Sequence, residues 1–434
     1  MRCYGKMEGR ASDLAKAARR TAETRENHRW LEGPSCDWDG VLQETMNLRP
    51  IKPSEVIVVL CAIAVAGIGA TLLLQHRHPR TQTSVVSAPV STVRPPVVPV
   101  LDRAAYNKKM LEIANLPPRE GCSSAPSTAA HEEKRARAYR TVAKARPVAY
   151  VTKEPVLRPC PAPLWPAHAA YPDAGAILPF KRVVAYYGNF YSTRMGILGE
   201  YPPDKVLEML KSAAAAWAAA DPSTPVVPAV DYIAVSGQNV PTRDGKYRLR
   251  MPASHIEKAI RMAEQIHGLV FLEVQPGWST VEEELPRLTP YLKRPNVQLA
   301  LDPEFAMTDG KRPGTKVGTL DAAQINYAAR FLAKIARENH LSPKILVVHR
   351  FTKDMVTDSR AIKPLPEVEI VMDMDGFGSP VLKLSTYKAY IASQPVQFTG
   401  FKLFYKNDVI IGHHLMTPAE ILRLSPQPSY IMYQ

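Results

Sequence analysis

From residue 181 onward the hydrophobic positions fall into short apolar runs. Each is followed by a polar loop and, in most cases, by apolar residues at helical spacing. Eight runs read as strands: 183–187 (VVAYY), 226–235 (VVPAVDYIAV), 269–274 (LVFLEV), 297–301 (VQLAL), 345–349 (ILVVH), 368–374 (VEIVMDM), 398–404 (FTGFKLF) and 429–433 (SYIMY). Helices are expected over 203–219, 254–267, 280–292, 320–339, 353–362, 382–393 and 418–424. Alternation of strand and helix implies a parallel sheet. Eight such units in about 250 residues fit an α/β fold of the (β/α)8 TIM-barrel type. The other open fold class, a doubly wound sheet, would show a Gly-rich first turn, whereas the first strand here ends in Tyr186-Tyr187-Gly188-Asn189. An eighth helix is expected to be missing or to come from the preceding linker.

The chain upstream is patterned differently. Residues 56–74, VIVVLCAIAVAGIGATLLL, are 19 positions without a charge, close to the ~20 apolar residues that span a bilayer. The expected organisation is a polar tail at 1–54, or a true start at Met46, then a transmembrane helix or signal anchor at 55–75. A Pro/Ala-rich, largely disordered linker follows at 76–180 and the barrel at 181–434. A short helix is expected at 104–114 within the linker. Of the 40 prolines, 16 lie between 78 and 180, a composition that favours extended polyproline II over a packed core. The expected location is the cell membrane, single-pass, with the C-terminal domain extracytoplasmic.

Charge changes the picture once it is sorted by region. The chain carries +14, but residues 1–180 hold 25 Lys+Arg against 16 Asp+Glu, and residues 181–434 hold 30 against 25. Most of the excess lies outside the barrel, and no basic stripe with interleaved aromatics marks a nucleic-acid surface. The five cysteines, Cys3, Cys36, Cys61, Cys122 and Cys160, all precede the barrel. Thiolate metal sites and cysteine nucleophiles are therefore excluded there.

A barrel of this type places its chemistry at the C-terminal ends of the strands. Those ends read Asn189, Asp231, Glu273 with Gln275, Asp302 with Glu304, His349, Asp373 with Asp375, Lys402 and Tyr433. A charge that follows a long apolar run is costly unless it is paired or used. In LALDPEF, strand alternation puts Asp302 and Glu304 on one side, where two neighbouring carboxyl groups suit a general acid and an ionised partner. Loop capping, or pairing with Lys402, is the structural alternative. Glu273 occupies the same position one strand earlier, within reach of the 5–9.5 Å carboxyl separations, approximately, that glycoside cleavage requires. Asp373 and Asp375 in MDMDGFG share a face and form either a second acidic wall or an Asp-Gly turn. His349 is a base, a substrate donor or a satisfied mouth histidine. Lys402 either pairs with a carboxylate or binds an anionic group. No His-x-His or His-Glu-x-x-His occurs in residues 181–434, and neither a metal nor a cofactor is expected.

The Asp-x-Glu at the fourth strand resembles that of two families of retaining barrel glycosidases, the chitinase-like enzymes and the Chalaropsis-type lysozymes. The resemblance implies that Glu304 is the proton donor and Asp302 its partner. The chain departs from those patterns at Ala300, where chitinases carry a further Asp. It departs again at Tyr186-Tyr187-Gly188-Asn189, where the lysozymes carry an Asp, and at Lys402, where the broad barrel-glycosidase clan has a nucleophilic Glu. More broadly, the chain resembles exported bacterial barrel proteins. The function expected is that of a membrane-anchored, extracytoplasmic glycoside-hydrolase-like enzyme acting on a glycan or cell-envelope polymer. Glu304 is its acid, Glu273 or Asp373 its nucleophile or base, and Asp302 tunes Glu304. Tyr187, Asn189, Gln275, Trp278, His349, Asp375, Lys402 and Tyr405 bind substrate. The alternatives are a non-catalytic anchored barrel that holds a glycan or small ligand, and a metal-assisted phosphodiesterase built on Glu273, Asp302, Glu304 and Asp375.

Overall fold

All eight expected strands form, and they close on themselves. We label them β1 Arg182–Gly188, β2 Val226–Gly237, β3 Leu269–Val274, β4 Val297–Leu301, β5 Lys344–Arg350, β6 Val368–Met374, β7 Phe398–Leu403 and β8 Tyr430–Tyr433. The computed structural model describes residues 100–117, 162–410 and 413–434, which belong to a unit running from Val98 to Gln434. Every neighbouring pair among the eight is parallel, and β1 pairs with both β2 and β8. The fold is a closed (β/α)8-type barrel. The expected membrane span at 56–74 lies outside the described residues. Among the described residues, no helix is long and apolar enough to cross a membrane.

The pairing register sorts the inward side chains into tiers. Stepping one residue along at each strand crossing returns to Tyr187 after eight strands, the stagger expected of this barrel. The lowest tier is Val183, Leu269, Ile345 and Phe398, and the next is Ala229, Gln298, Val371 and Tyr430. Above them come Ala185, Phe271, Val347 and Gly400, then Asp231, Ala300, Asp373 and Met432, then Tyr187, Glu273, His349 and Lys402. The interior thus changes from apolar to ionisable two tiers below the top.

Helix α1, Arg103–Ala114, supplies the barrel's floor. Its Tyr106, Met110 and Ile113 join Leu178 in the apolar cluster that fills the lower tiers. Asp102 caps its start and Asn115 its end, and the Asn115 Nδ2 donates to the Leu424 carbonyl at 2.8 Å. Glu369, at the base of β6, accepts the backbone N–H groups of Ile177 and Leu178 at 3.1 and 2.6 Å. Two pieces of the expected spacer, 100–117 and 162–180, are therefore placed within the barrel's unit.

The outer layer follows the amphipathic pattern. It contains α2 Pro203–Ala220, α3 Ala253–Glu264, α4 Val281–Leu292, α5 Ala322–Glu338 and α6 Pro380–Thr386, the last continuing as a π-helical turn over Tyr387–Ala392. A capping box of Asp321 and Gln324 starts α5, and Thr280 followed by Glu282–Glu284 starts α4, placing negative charge at a positive helix end. The helix expected at 353–362 does not form. The Arg350 guanidinium instead bonds the carbonyls of Thr352, Lys353 and Val356, and Asp358 adopts a left-handed conformation with φ 52°. The segment is a short strand at Val356–Thr357 and a 3-10 turn at Ser359–Ala361.

Candidate active site at the C-terminal end of the barrel

The strand ends deliver a connected polar core. Glu273 on β3 is its hub: Oε1 accepts from the Tyr187 hydroxyl at 2.9 Å and from Gln275 Nε2 at 2.8 Å, and Oε2 approaches His349 Nε2 at 3.0 Å. That last approach has an ion-pair distance without hydrogen-bond alignment, so both atoms remain without a hydrogen-bond partner. His349 Nδ1 lies 3.1 Å from Asp373 Oδ2 and 3.5 Å from Asp375 Oδ2. Lys402 Nζ pairs with Asp375 Oδ1 at 2.9 Å and lies 3.8 Å from the centre of the Tyr187 ring. On β2, Asp231 Oδ2 accepts from the Tyr430 hydroxyl at 2.8 Å.

Gln275 ties this core to the mouth. Its Nε2 also reaches Asp302 Oδ2 at 3.3 Å, and its Oε1 accepts the Gly237 N–H at 3.0 Å. Glu273 and Asp302, bridged by one amide nitrogen, are therefore about 6 Å apart at most between those oxygens. Asp302 Oδ1 accepts the Glu304 N–H at 2.8 Å and opens the short turn Pro303–Phe305. The turn carries Glu304 to the rim, half-buried, where its carboxyl group has no hydrogen-bond partner among the described residues.

Burial and like charge set the protonation of these groups. Removal from water, then the charge of Glu273, raises Asp302 to about 7. Burial, followed by Asp302 and Asp375, pushes Glu304 well above the carboxylate range. Asp231 rises through burial and Glu273, and Asp373 through burial that its bond to His349 offsets only in part. Burial opposes the charge on Glu273, yet the facing His349 imidazole and its charge outweigh it and hold its carboxyl below the ordinary value. The same balance, with Asp373 and Glu273 as partners, raises His349 well above its ordinary value. Burial weakens the Lys402 ammonium, but Asp375 and Glu273 overcome it and raise its pKa. Groups whose environments drive their proton affinities apart are the usual basis for dividing acid from base.

The structure brings together Tyr187, Glu273, Gln275, Asp302, His349, Asp373, Asp375 and Lys402, with Glu304 at their outer edge. Glu273, His349 and Asp373 have no exposed surface, whereas Asp375 retains 8%. Trp278 stands on the rim, tilted against Tyr247 with ring centres 4.3 Å apart, its Nε1 donating to the Lys311 carbonyl. Asn189 shapes a turn, with Nδ2 on the Ile233 carbonyl and Oδ1 on the Tyr191 N–H. Tyr405 is not at the mouth; it stacks on Tyr433 and bonds Tyr186 in the outer cluster. Asp231 and Tyr430 belong to the core although the sequence argument did not assign them a role. Their signal was inward register, at the first residue of β8 for Tyr430 and mid-strand for Asp231. Asp231, Glu273 and His349 each offer one donor atom within 4.8 Å of the others, a spacing that suits a cation.

No family model matches the chain, and no curated protein matches it. Among solved structures the chain is similar to a Bacillus subtilis mannanase, at 11% identity and TM-score 0.32, covering 61% of this chain and 88% of that one. It is also similar to tryptophan synthase from M. tuberculosis, at 11% identity and TM-score 0.26, with 58% and 82% covered. A ruminal GH26 endo-beta-1,4-mannanase matches at 11% identity and TM-score 0.27, with 59% of each chain covered. Likeness this low says nothing about activity, and the barrel is established by its own strand order and register.

Proposed function

We propose that the C-terminal mouth of the barrel is the active site of a glycoside hydrolase, with Glu304 as the proton donor. The observation that carries this reading is the Glu304 carboxyl group. It is half-buried at the rim, free of hydrogen-bond partners among the described residues, and raised well above its ordinary pKa by burial and by Asp302. A carboxyl group that holds its proton more tightly than usual and spends no hydrogen bond on the protein is equipped to protonate a leaving oxygen. Asp302, at about 7, is the second carboxyl group of the pair. Its Oδ1 holds the turn that presents Glu304.

Glu273 and Asp373 take positioning roles in this reading. Both are closed off from solvent, and both clamp His349. Gln275, fixed by Glu273 and by the Gly237 N–H, orients Asp302 from below. Trp278 and Tyr247 form the aromatic surface on which a sugar ring lies. The substrate class is a cell-envelope glycan, a choice that rests on the charge-free run at 56–74 and the Pro-rich stretch after it.

The test is release of reducing ends from a panel of β-linked polysaccharides and peptidoglycan by the full chain and by Glu304→Gln. Removing a positioned general acid costs on the order of 10²–10⁴ in rate, so turnover of the responsive substrate falls by at least about 100-fold in the variant. Equal turnover by both proteins would sink the assignment.

A further inference from the structure

We propose that Asp231, Glu273 and His349 bind one divalent first-row transition-metal ion in the barrel interior, through Asp231 Oδ1, Glu273 Oε2 and His349 Nε2. This goes beyond the hydrolase reading and does not depend on it. The first observation is proximity: one donor atom of each residue lies within 4.8 Å of the other two. The second is independent of the first. Each of the same three side chains, none with exposed surface, has one buried atom without a hydrogen-bond partner among the described residues: Asp231 Oδ1, Glu273 Oε2 and His349 Nε2. Leaving a buried polar atom without a partner is costly. One such atom on each of three side chains that approach this closely marks a place where a ligand belongs.

The remaining atom of each group is already tied down in the way metal ligands require. Asp231 Oδ2 accepts from Tyr430, and Glu273 Oε1 accepts from Tyr187 and Gln275. His349 Nδ1 faces Asp373 Oδ2 at 3.1 Å. A carboxylate on Nδ1 fixes the ring so that an ion replaces the proton on Nε2, the outer-shell arrangement common at metal-bound histidines. The 3.0 Å between Glu273 Oε2 and His349 Nε2 is close to the edge of a coordination polyhedron with bonds of about 2.1 Å.

Local charge points the same way. Six carboxyl groups, Asp231, Glu273, Asp302, Glu304, Asp373 and Asp375, act on one another and on His349 and Lys402. An imidazole in the donor set selects Zn2+, Mn2+ or their neighbours over Mg2+ or Ca2+, which prefer all-oxygen shells.

The test uses the full chain, unfolded in urea with chelator and refolded with Zn2+, Mn2+ or no metal, because the donors are closed from solvent. Bound metal is then counted by mass spectrometry after desalting, and Co2+ is used as a spectroscopic probe. The proposal predicts one equivalent of Zn2+ or Mn2+ and a Co2+ absorption spectrum of nitrogen and oxygen ligation. It predicts loss of both in His349→Ala and Asp231→Asn, and retention in Glu304→Gln. Tyr430→Phe, which removes only an outer hydrogen bond, weakens binding about 10–100-fold and serves as the readout if the ligand variants do not fold. Wild-type protein that takes up no more metal than His349→Ala would overturn the proposal, leaving a proton-bridged network only.

Discussion

Lys402→Met probes the electrostatics of the barrel mouth most sharply. Lys402 is 2% exposed, its Nζ lies 2.9 Å from Asp375 Oδ1, and Tyr187 offers its ring face at 3.8 Å. At an effective dielectric of about 20, a unit pair at that distance attracts by roughly 6 kcal/mol. The ring face adds about 0.5–2 kcal/mol. Removing the ammonium also removes its own burial penalty, so the net loss is smaller, about 3–5 kcal/mol, the usual result of stranding one charge of a buried pair. The Lys402 pKa is raised in the fold, so its stabilisation is fully present below its ordinary value of 10.5 and is lost only as pH rises through the higher folded one. Urea denaturation of the full chain followed by tryptophan fluorescence at pH 7.5 should show that loss. At pH 5 the deficit should shrink, because neighbouring carboxyl groups with raised pKa take up protons and need the cation less. Asp375→Asn in the Lys402→Met background should restore part of the stability. A deficit under about 1 kcal/mol, or one unchanged between pH 5 and 7.5, would refute this account of the mouth.

Three further outcomes follow from the same geometry. Asp302 binds its proton more tightly in the fold, at about 7 against 3.8. The stability it contributes is complete below about pH 4 and is lost as pH rises through 7, so the urea midpoint should fall from pH 5 to 8 and Asp302→Asn should flatten that slope. Gly400→Ala would drive a methyl group against the Asp373 carboxylate, and overpacking of this kind costs about 1–3 kcal/mol, read as a lower thermal midpoint. Tyr430→Phe leaves both Asp231 oxygens without a partner, at a similar cost of about 1–3 kcal/mol, measurable in the same urea experiment.

Much of the fold was legible because a parallel barrel writes each strand as a short apolar run. Three expected strands, Leu269–Val274, Val297–Leu301 and Val368–Met374, match the structure end to end. The helix expected at 353–362 was misread because its few apolar residues follow Arg350, whose side chain claims the local carbonyls. No local pattern announces that. The ionisable strand ends were legible in the sequence, but their depth was not. Glu273 and Asp373 look like Glu304 in sequence, yet the stagger of the barrel places them one or two tiers lower, out of contact with solvent. Asp231 and Tyr430 pair across three strands' worth of register, a relation fixed only when the barrel closes. Tyr405 illustrates the converse: it follows β7 closely, but its ring turns outward to Tyr186 and Tyr433.

The central claim is that Glu304 is the acid of a hydrolytic site, and the pH–rate profile of the responsive glycan tests it most directly. If Glu304 supplies the proton, kcat/KM of the wild-type chain falls on the alkaline side with a midpoint well above the ordinary carboxylate value, as the raised Glu304 loses its proton. Glu304→Gln then removes that alkaline limb together with most of the rate. An unchanged limb and unchanged turnover in Glu304→Gln would contradict the account.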